Sequence, residues 1–239
     1  MMTIQTRSVF YQIEGKTFEG VIAYDDAIEG ERPLVLVAHT WAGRSDFEVE
    51  KAKNLAALGF TGFAMDLYGK GVLGETTEEC QALLDPWVAD RAKLQQTLMA
   101  IIDVAKREPE ANASKVAAIG YCFGGLCVLD IARAGTDLAS VISLHGLLGA
   151  PGNTSAKISA KVLALHGWDD PMATPADVDA FSKEMSSADA DWQLHAYGGT
   201  MHAFTNPKAD NPDFGTVYNK RADQRSWQAV GNFLDEVLN

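Results

Sequence analysis

The feature that most constrains this chain is the pentapeptide Gly-Tyr-Cys-Phe-Gly at residues 120–124, which lies between two apolar stretches. The stretch at 115–119 is typical of a buried strand, and the stretch at 126–131 continues as a helix. A sharp turn from strand to helix needs small residues where the two elements pass closely, and Gly120 and Gly124 meet that need. Such a turn presents its central residue, Cys122, as a nucleophile.

The helix that follows Cys122 adds to its chemistry. A helix N-terminus favours a thiolate, and its first N–H groups can hold an oxyanion. We therefore predict the N–H of Phe123 as one oxyanion donor. The loop after the third strand supplies the second donor in such sites, and Trp41 N–H is our candidate there. The alternative that Trp41 only packs its loop stays open.

A thiol nucleophile needs a base, and the base needs an acid that orients it. His202 lies in the loop after the last predicted strand, behind two glycines that let the chain turn, and we predict it as the base. The acid is expected in the turn at 167–171, which contains Asp169 and Asp170. Three further histidines are assigned to neighbouring or packing positions in strands: His145, His166 and His195.

Composition predicts one globular enzyme domain over residues 1–239, because 47% of the residues are hydrophobic and no linker or repeat interrupts the chain. The formal net charge of −12 argues against a nucleic acid or an anionic membrane as partner. The first residues lack the apolar run of a secretory signal, and the three cysteines show no disulfide-framework spacing. We therefore expect a cytoplasmic protein. Oligomeric state is left open.

Apolar runs that alternate with helical patterns predict an α/β fold with a mostly parallel central sheet and helices on both faces. The predicted strands lie near 7–13, 16–24, 33–38, 60–65, 115–119, 139–144, 160–166 and 191–197, and the predicted helices near 46–58, 76–84, 87–107, 123–134, 175–187 and 217–238. Histidine and cysteine spacings do not match a metal site, so none is predicted.

The residues singled out above, together with Asp-Leu-Tyr-Gly at 66–69, resemble the dienelactone hydrolase family of α/β-hydrolases over nearly the whole chain. The turn at 167–171 resembles the family's Gly-x-x-Asp-Pro turn, which selects Asp170 as the acid. The resemblance implies a catalytic triad of Cys122, Asp170 and His202 that needs no metal or cofactor. It implies hydrolysis of small-molecule lactones or related esters through a thioester acyl-enzyme.

Two positions depart from the pattern of family members that open dienelactone. Thr40 stands where those members carry a glutamate that takes part in thiol activation, and Asn206 stands where they carry an arginine that holds the substrate carboxylate. We assign Thr40 and Asn206 to substrate binding and expect neutral substrates to be favoured. Arg91 could supply a substitute cation, although a helix-surface position explains it more simply.

Two other functional classes remain open at this stage. One is a different thiol acyl enzyme, a thioesterase or a general carboxylesterase. The other is a catalytically silent domain of the same fold that binds a small ligand, since fold alone does not determine function. The presence of all three triad residues argues against the silent domain.

Overall fold

A computed structural model of the chain describes residues 3–239. Eight strands form one sheet in the order β1-β2-β4-β3-β5-β6-β7-β8. The pairs β1–β2 and β2–β4 are antiparallel, whereas β3–β4, β6–β7 and β7–β8 are parallel. The mostly parallel α/β sheet predicted from the sequence is therefore confirmed.

The sheet strands are β1 (Ile4–Ile13), β2 (Lys16–Asp25), β3 (Arg32–Ala38), β4 (Thr61–Ala64), β5 (Ala111–Tyr121), β6 (Ser140–Leu144), β7 (Lys161–Gly167) and β8 (Trp192–Tyr197). The helices are α1 (Asp46–Ala57), α2 (Thr77–Ala89), α3 (Arg91–Ala105), α4 (Phe123–Arg133), α5 (Pro175–Ser187) and α6 (Lys220–Leu238). A separate hairpin consists of β9 (Asp210–Asn211) and β10 (Thr216–Val217).

Backbone contacts group the chain into two compact units, one ending at Ile119 and the other beginning at Gly120, so the boundary falls within β5. In the first unit, α1 packs on β2, β3 and β4. Helix α1 begins with a capping box. The Ser45 side chain accepts a backbone N–H of the first turn, and the Glu48 side chain accepts the backbone N–H of Ser45. The single domain expected over residues 1–239 stays a prediction.

In the second unit, β6 is buried at every one of its five residues. Successive side chains of a strand point to opposite faces, so both faces of the sheet are covered there. Helix α4 packs against β6, and α6 packs against β6 and β7. Every residue of α4 is buried as well. The turn that precedes α4 therefore leads into a helix that is buried along its whole length.

Besides shifts of a few residues at element ends, such as the earlier start of β5 at Ala111, two details differ from the predicted elements. The boundary expected between helices near Pro86 lies instead at Asp90, because α2 continues through Pro86 to Ala89. The Asp90 side chain accepts the Lys93 N–H at 2.9 Å and so starts α3. The second difference is the β9–β10 hairpin, which the sequence did not predict because its strands are only two residues long.

Candidate active site

The turn from β5 into α4 has the strained geometry expected of a nucleophile position. Cys122 has φ 57° and ψ −117°, a conformation that residues with a side chain rarely adopt. Gly120 permits it, since a Cβ atom at that position would collide with the Gly124 carbonyl group. The Cys122 carbonyl accepts the N–H of Gly125 at 2.9 Å, so the turn is closed by the helix it starts.

Cys122 differs from the other two cysteines in its surroundings. It is partly exposed, whereas Cys80 and Cys127 are buried. Its thiol does not cap α4, and Phe123 is the first residue of that helix. The amides at a helix start point away from the helix body, which is the arrangement an oxyanion hole uses. Among the three thiols, only Cys122 combines accessibility with a helix N-terminus.

Asp170 and His202 are in direct contact. The Nδ1 atom of His202 lies 2.7 Å from Oδ2 of Asp170, and both side chains are buried. The other carboxylate oxygen of Asp170, Oδ1, accepts the Met172 N–H at 2.8 Å, which fixes the orientation of the carboxylate. Asp169 is exposed. The turn therefore directs Asp170, and not its neighbour, towards the histidine.

The second ring nitrogen of His202 has a different environment. Within residues 3–239, Nε2 is buried and has no hydrogen-bond partner of good geometry. The Cys122 sulfur is close enough to act on it electrostatically. Burial alone lowers the pKa of His202, but the charge of Cys122 and the hydrogen bond to Asp170 outweigh burial and raise the pKa to about 10. Cys122 and Asp170 therefore favour the protonated imidazolium of His202.

The loop that carries His202 is held by the β9–β10 hairpin. The His202 N–H donates to the Gly215 carbonyl at 2.9 Å, and the Val217 N–H donates to the His202 carbonyl at 3.1 Å. Gly215 has φ 81°, and a Cβ atom there would collide with the ring of Pro171. Pro171, which follows Asp170 in the acid turn, therefore lies directly against the hairpin that holds the His202 loop. The hairpin is thus the support of His202 that sequence reasoning missed.

The structure places the two remaining strand-end histidines around this site. His166 is buried near Asp170 and His202, and within the described residues its ring nitrogens make no hydrogen bond. Burial lowers the pKa of His166, which favours the neutral ring. The ring centroid of His145 lies 5.2 Å from that of His202. His195 is exposed in β8.

In the first unit, the loop after β3 is tightly organised. The Gly43 N–H donates to the Thr40 carbonyl at 3.2 Å, which places Trp41 inside a turn. The Thr40 N–H donates to Glu48 at 3.2 Å, and His39 Nδ1 donates to the Thr40 carbonyl at 2.6 Å. Thr40 and Trp41 are partly exposed. Their assigned roles in substrate binding and oxyanion stabilisation stay predictions.

Glu48 is a functional candidate that the sequence analysis missed. Its carboxylate is fully buried and accepts N–H groups from Thr40 and Ser45. The Ser-x-x-Glu spacing of a capping box was the signal that could have identified it. Its contact with Thr40 means that a carboxylate does support this loop, through the backbone and from α1.

The hydrogen bonds of Asn206 stabilise the turn in which it lies. Its side-chain oxygen accepts the Lys208 N–H at 3.0 Å, and its backbone N–H donates to Ala203 at 2.9 Å. This is an Asx turn, in which the amide group stabilises a local backbone bend. Arg91 is the first residue of α3. The substrate-binding role assigned to Asn206 stays a prediction.

No group of three or more His, Cys, Asp or Glu side chains in the described part of the chain is arranged to hold a metal ion. None of the helices between residues 3 and 239 is both long and apolar enough to span a bilayer.

Comparison with known proteins places these features in a family. The sequence profile of the dienelactone hydrolase family matches residues 18–238. The uncharacterized protein K02A2.1 of Caenorhabditis elegans is 37% identical over 152 residues, which cover 61% of this chain and 95% of that protein. A carboxymethylenebutenolidase of a Pseudomonas species is 32% identical over 112 residues, covering 44% of this chain and 47% of that enzyme.

A solved structure agrees over the whole length. The crystal structure of a dienelactone hydrolase-like promiscuous phosphotriesterase from metagenomic libraries has a TM-score of 0.93 and 32% sequence identity, and it covers 99% of both chains. A second solved structure, of an esterase from an Arctic intertidal metagenomic library, has a TM-score of 0.68 at 18% identity and covers 99% of this chain. At that identity the second comparison shows the fold alone. The α/β-hydrolase fold predicted from the sequence is confirmed.

Proposed function

The chain belongs to the dienelactone hydrolase family, and we propose that it opens lactones or cleaves small carboxylic esters with Cys122 as its nucleophile. It is a carboxylic ester hydrolase of that family. The observation that carries the proposal is the strained Cys122 at the start of α4, beside a His202 whose other nitrogen lies 2.7 Å from Asp170. This is the order of nucleophile, base and orienting acid that acyl transfer requires.

The first half of the reaction forms the acyl-enzyme. The Cys122 thiolate attacks the substrate carbonyl carbon, and the carbonyl oxygen becomes an oxyanion near the Phe123 N–H. Trp41 N–H is the proposed second donor. The oxyanion then re-forms the carbonyl and expels the ester or lactone oxygen, which takes the proton of His202 Nε2. The sulfur and the acyl carbon are left joined as a thioester.

The second half consumes water. His202, now neutral, takes a proton from a water molecule as it attacks the thioester carbon, and the Cys122 thiolate leaves. His202 is protonated again, and the Cys122 sulfur is ready for the next substrate. Asp170 keeps the proton of Nδ1 in place in both halves, so Nε2 always faces the reacting atoms. The net reaction adds one water to a lactone and yields a hydroxy acid.

The residues assigned to substrate binding favour neutral substrates. Thr40 and Asn206 carry no charge, and the chain has a net charge of −12, which does not attract anions. We therefore propose that neutral lactones and esters are hydrolysed more efficiently than dienelactones that carry a carboxylate. Asn206→Arg should narrow that difference, because a well-placed charge-assisted hydrogen bond contributes about 1.5–3 kcal/mol.

The decisive experiment traps the acyl-enzyme. The protein is mixed with a panel of lactones, aryl esters and thioesters, quenched in acid, digested and analysed by mass spectrometry. An adduct of the acyl mass on the peptide containing Cys122 supports the proposal, and its absence with every hydrolysed substrate refutes the thioester intermediate. Cys80 provides the internal control, since it is buried, lies outside the peptide that contains Cys122 and should remain unmodified.

The same panel separates the alternatives. Faster turnover of thioesters than of lactones would identify a thioesterase, and equal turnover of many esters a general carboxylesterase. Binding without turnover or adduct would identify a silent ligand-binding domain. A phosphotriester belongs in the panel because the structurally similar metagenomic enzyme is described as a promiscuous phosphotriesterase. The expectations of a cytoplasmic location and of small molecules as the only partners stay predictions.

A further inference from the structure

His145 combines two features that are unusual for a histidine at the end of a strand. It directly follows β6 and is only 2% exposed. Its backbone has φ 38°, in the left-handed region that a bulky side chain rarely occupies. Strain of this kind persists only where surrounding structure enforces it, and it concentrates at functional sites. The strained backbone places the His145 ring where both of its nitrogens have hydrogen-bond partners.

The two ring nitrogens of His145 have different partners. Nδ1 lies 3.2 Å from the backbone nitrogen of Cys122, and Nε2 lies 2.8 Å from the hydroxyl of Thr205. A backbone N–H can only donate, so Nδ1 must accept and carries no proton. The proton of the neutral ring is then on Nε2, which donates to the Thr205 hydroxyl. The hydrogen-bond network thus assigns both the charge state and the tautomer.

These two bonds connect the two reacting groups of the proposed site. Cys122 is the nucleophile, and Thr205 lies three residues after His202 in the loop of the base. The His145 ring also contacts that loop directly, with its centroid 5.2 Å from the His202 ring and 5.1 Å from the Phe204 ring. The Cys122 N–H is shared with the Leu144 carbonyl at 3.1 Å, so the backbone before His145 holds the same turn.

We propose that His145 is a positioning residue that sets the separation of the Cys122 sulfur and His202 Nε2, acting as a neutral Nε2–H tautomer. The proposal rests on the proposed function of Cys122 and His202. In this role the His145 ring does not touch the substrate. It acts through the backbone of Cys122 and through the loop that carries His202. Loss of either bond lets one group move relative to the other. A displacement of about 1 Å between reacting groups can lower a rate roughly 100-fold.

The first test compares two substitutions at the same position. His145→Asn keeps an acceptor near the place of Nδ1, and asparagine tolerates a positive φ. His145→Leu removes the acceptor and keeps a bulky side chain. We expect His145→Leu to lower kcat about 10- to 100-fold with KM nearly unchanged, and His145→Asn to recover most of kcat. The control is His195→Asn, which makes a similar change at an exposed position in β8 and should match the wild type.

The second test addresses the other nitrogen and remains decisive if His145→Leu does not fold. Thr205→Val keeps the shape of the side chain but removes the hydroxyl that accepts the Nε2–H, whereas Thr205→Ser keeps it. We expect Thr205→Val to lower kcat roughly 3- to 10-fold, and Thr205→Ser to stay near the wild type. The ¹⁵N spectrum of His145, assigned with His145→Asn, should show a protonated Nε2 and an unprotonated Nδ1 in the wild type.

The outcomes separate this inference from the function on which it rests. An active wild type with a Cys122 adduct, together with an inactive Cys122→Ala, supports the proposed function whatever the His145 variants do. If kcat of folded His145→Leu and Thr205→Val then equals that of the wild type, the positioning role is refuted. It is refuted equally if the ¹⁵N spectrum shows the proton on Nδ1. Slower kcat that only the conservative variants recover supports it.

Discussion

The two ends of helix α4 use buried polar groups in opposite ways. At the C-terminal end, the Arg133 side chain is fully buried, and all five of its N–H donors are used. Nε and one terminal nitrogen pair with both carboxylate oxygens of Glu184 at 3.1 and 2.7 Å. The remaining hydrogen bonds go to Asp130 and to the carbonyls of Leu148 and Gly149.

At the N-terminal end, by contrast, not every buried polar atom that the structure describes has a hydrogen-bond partner of good geometry. The backbone of Cys122 is strained, and within the described residues Nε2 of His202 is buried without a partner of good geometry. A buried polar atom left unpaired costs free energy, so fold stability alone does not favour it. The difference indicates that the Arg133 cluster stabilises the fold, while His202 Nε2 at the other end interacts with the Cys122 thiol, which the proposed reaction uses. Substitutions at the two ends should therefore affect different properties.

The largest expected effect is the loss of turnover in Cys122→Ala. Removing a nucleophile lowers kcat by roughly 10⁴- to 10⁶-fold, because no other group can form the acyl-enzyme. The fold should stay intact, since the thiol is partly exposed and does not cap α4. Ester hydrolysis and denaturant unfolding measure the two effects.

The matched control is Cys127→Ala, one helical turn further into α4. This thiol is buried, so its removal should lower the free energy of unfolding by about 1 kcal/mol and leave kcat unchanged. If Cys122→Ala kept wild-type turnover, or Cys127→Ala lost it, the assignment of the two thiols would be wrong.

The next effect separates the two carboxylates of the acid turn. Asp170→Asn should lower kcat about 10³- to 10⁴-fold, because an amide cannot stabilise the imidazolium and allows the wrong tautomer of His202. Asp169→Asn should change kcat little, because Asp169 is exposed. Steady-state kinetics of both variants on one neutral ester decide the point. The reverse pattern would show that the acid is one residue earlier.

At the other end of α4 the expected effect is on stability. Arg133→Leu leaves the carboxylates of Asp130 and Glu184 without their cation, and breaking a buried ion pair from one side typically costs about 3–5 kcal/mol. The kcat of the folded fraction should stay within about 2-fold of the wild type. Urea unfolding and activity measured well below Tm test both statements.

Lys183→Leu provides the comparison on the surface. Lys183 pairs with Asp179 at 2.6 Å on α5, but both side chains are largely exposed. An exposed pair contributes about 0.3–0.5 kcal/mol, so unfolding should change little. If Arg133→Leu lowered the free energy of unfolding no more than Lys183→Leu, the buried Arg133 cluster would not be what stabilises the C-terminal end of α4. A selective loss of kcat in Arg133→Leu would have the same consequence.

The sequence predicted the elements that depend on local patterns. The sequence pattern located each of the eight sheet strands, a continuous apolar run marked β3, and the glycines of residues 120–124 identified the turn at Cys122. The order of nucleophile, acid and base along the chain led to the pair of Asp170 and His202, which the structure brings to 2.7 Å. These features follow from neighbouring residues or from chain order, and both are visible in a sequence.

The features that the sequence did not reveal depend on contacts between distant residues. His145 and Thr205 are 60 residues apart, and nothing local indicates that a ring nitrogen of one meets the hydroxyl of the other. The β9–β10 hairpin has strands too short to show a period. The predicted boundary between the helices near 76–84 and 87–107 was wrong, because α2 continues through Pro86 to Ala89 and the Asp90 side chain caps the start of α3.

The smallest expected change is in the protonation of His202, which lies near the N-terminal end of α4. Burial opposes the charge of His202, but Cys122 and Asp170 raise its pKa from 6.5 to about 10. In ¹⁵N spectra His202 should therefore be doubly protonated at pH 8 in the wild type and lose a proton at lower pH in Cys122→Ala. Because the folded-state pKa is raised, the contribution of His202 to the free energy of unfolding is complete below about pH 6.5 and is lost as the pH rises through about 10. A wild-type His202 already neutral at pH 7 would mean that Cys122 and Asp170 do not raise its pKa, and the contrast between the two ends of α4 would lose its chemical basis.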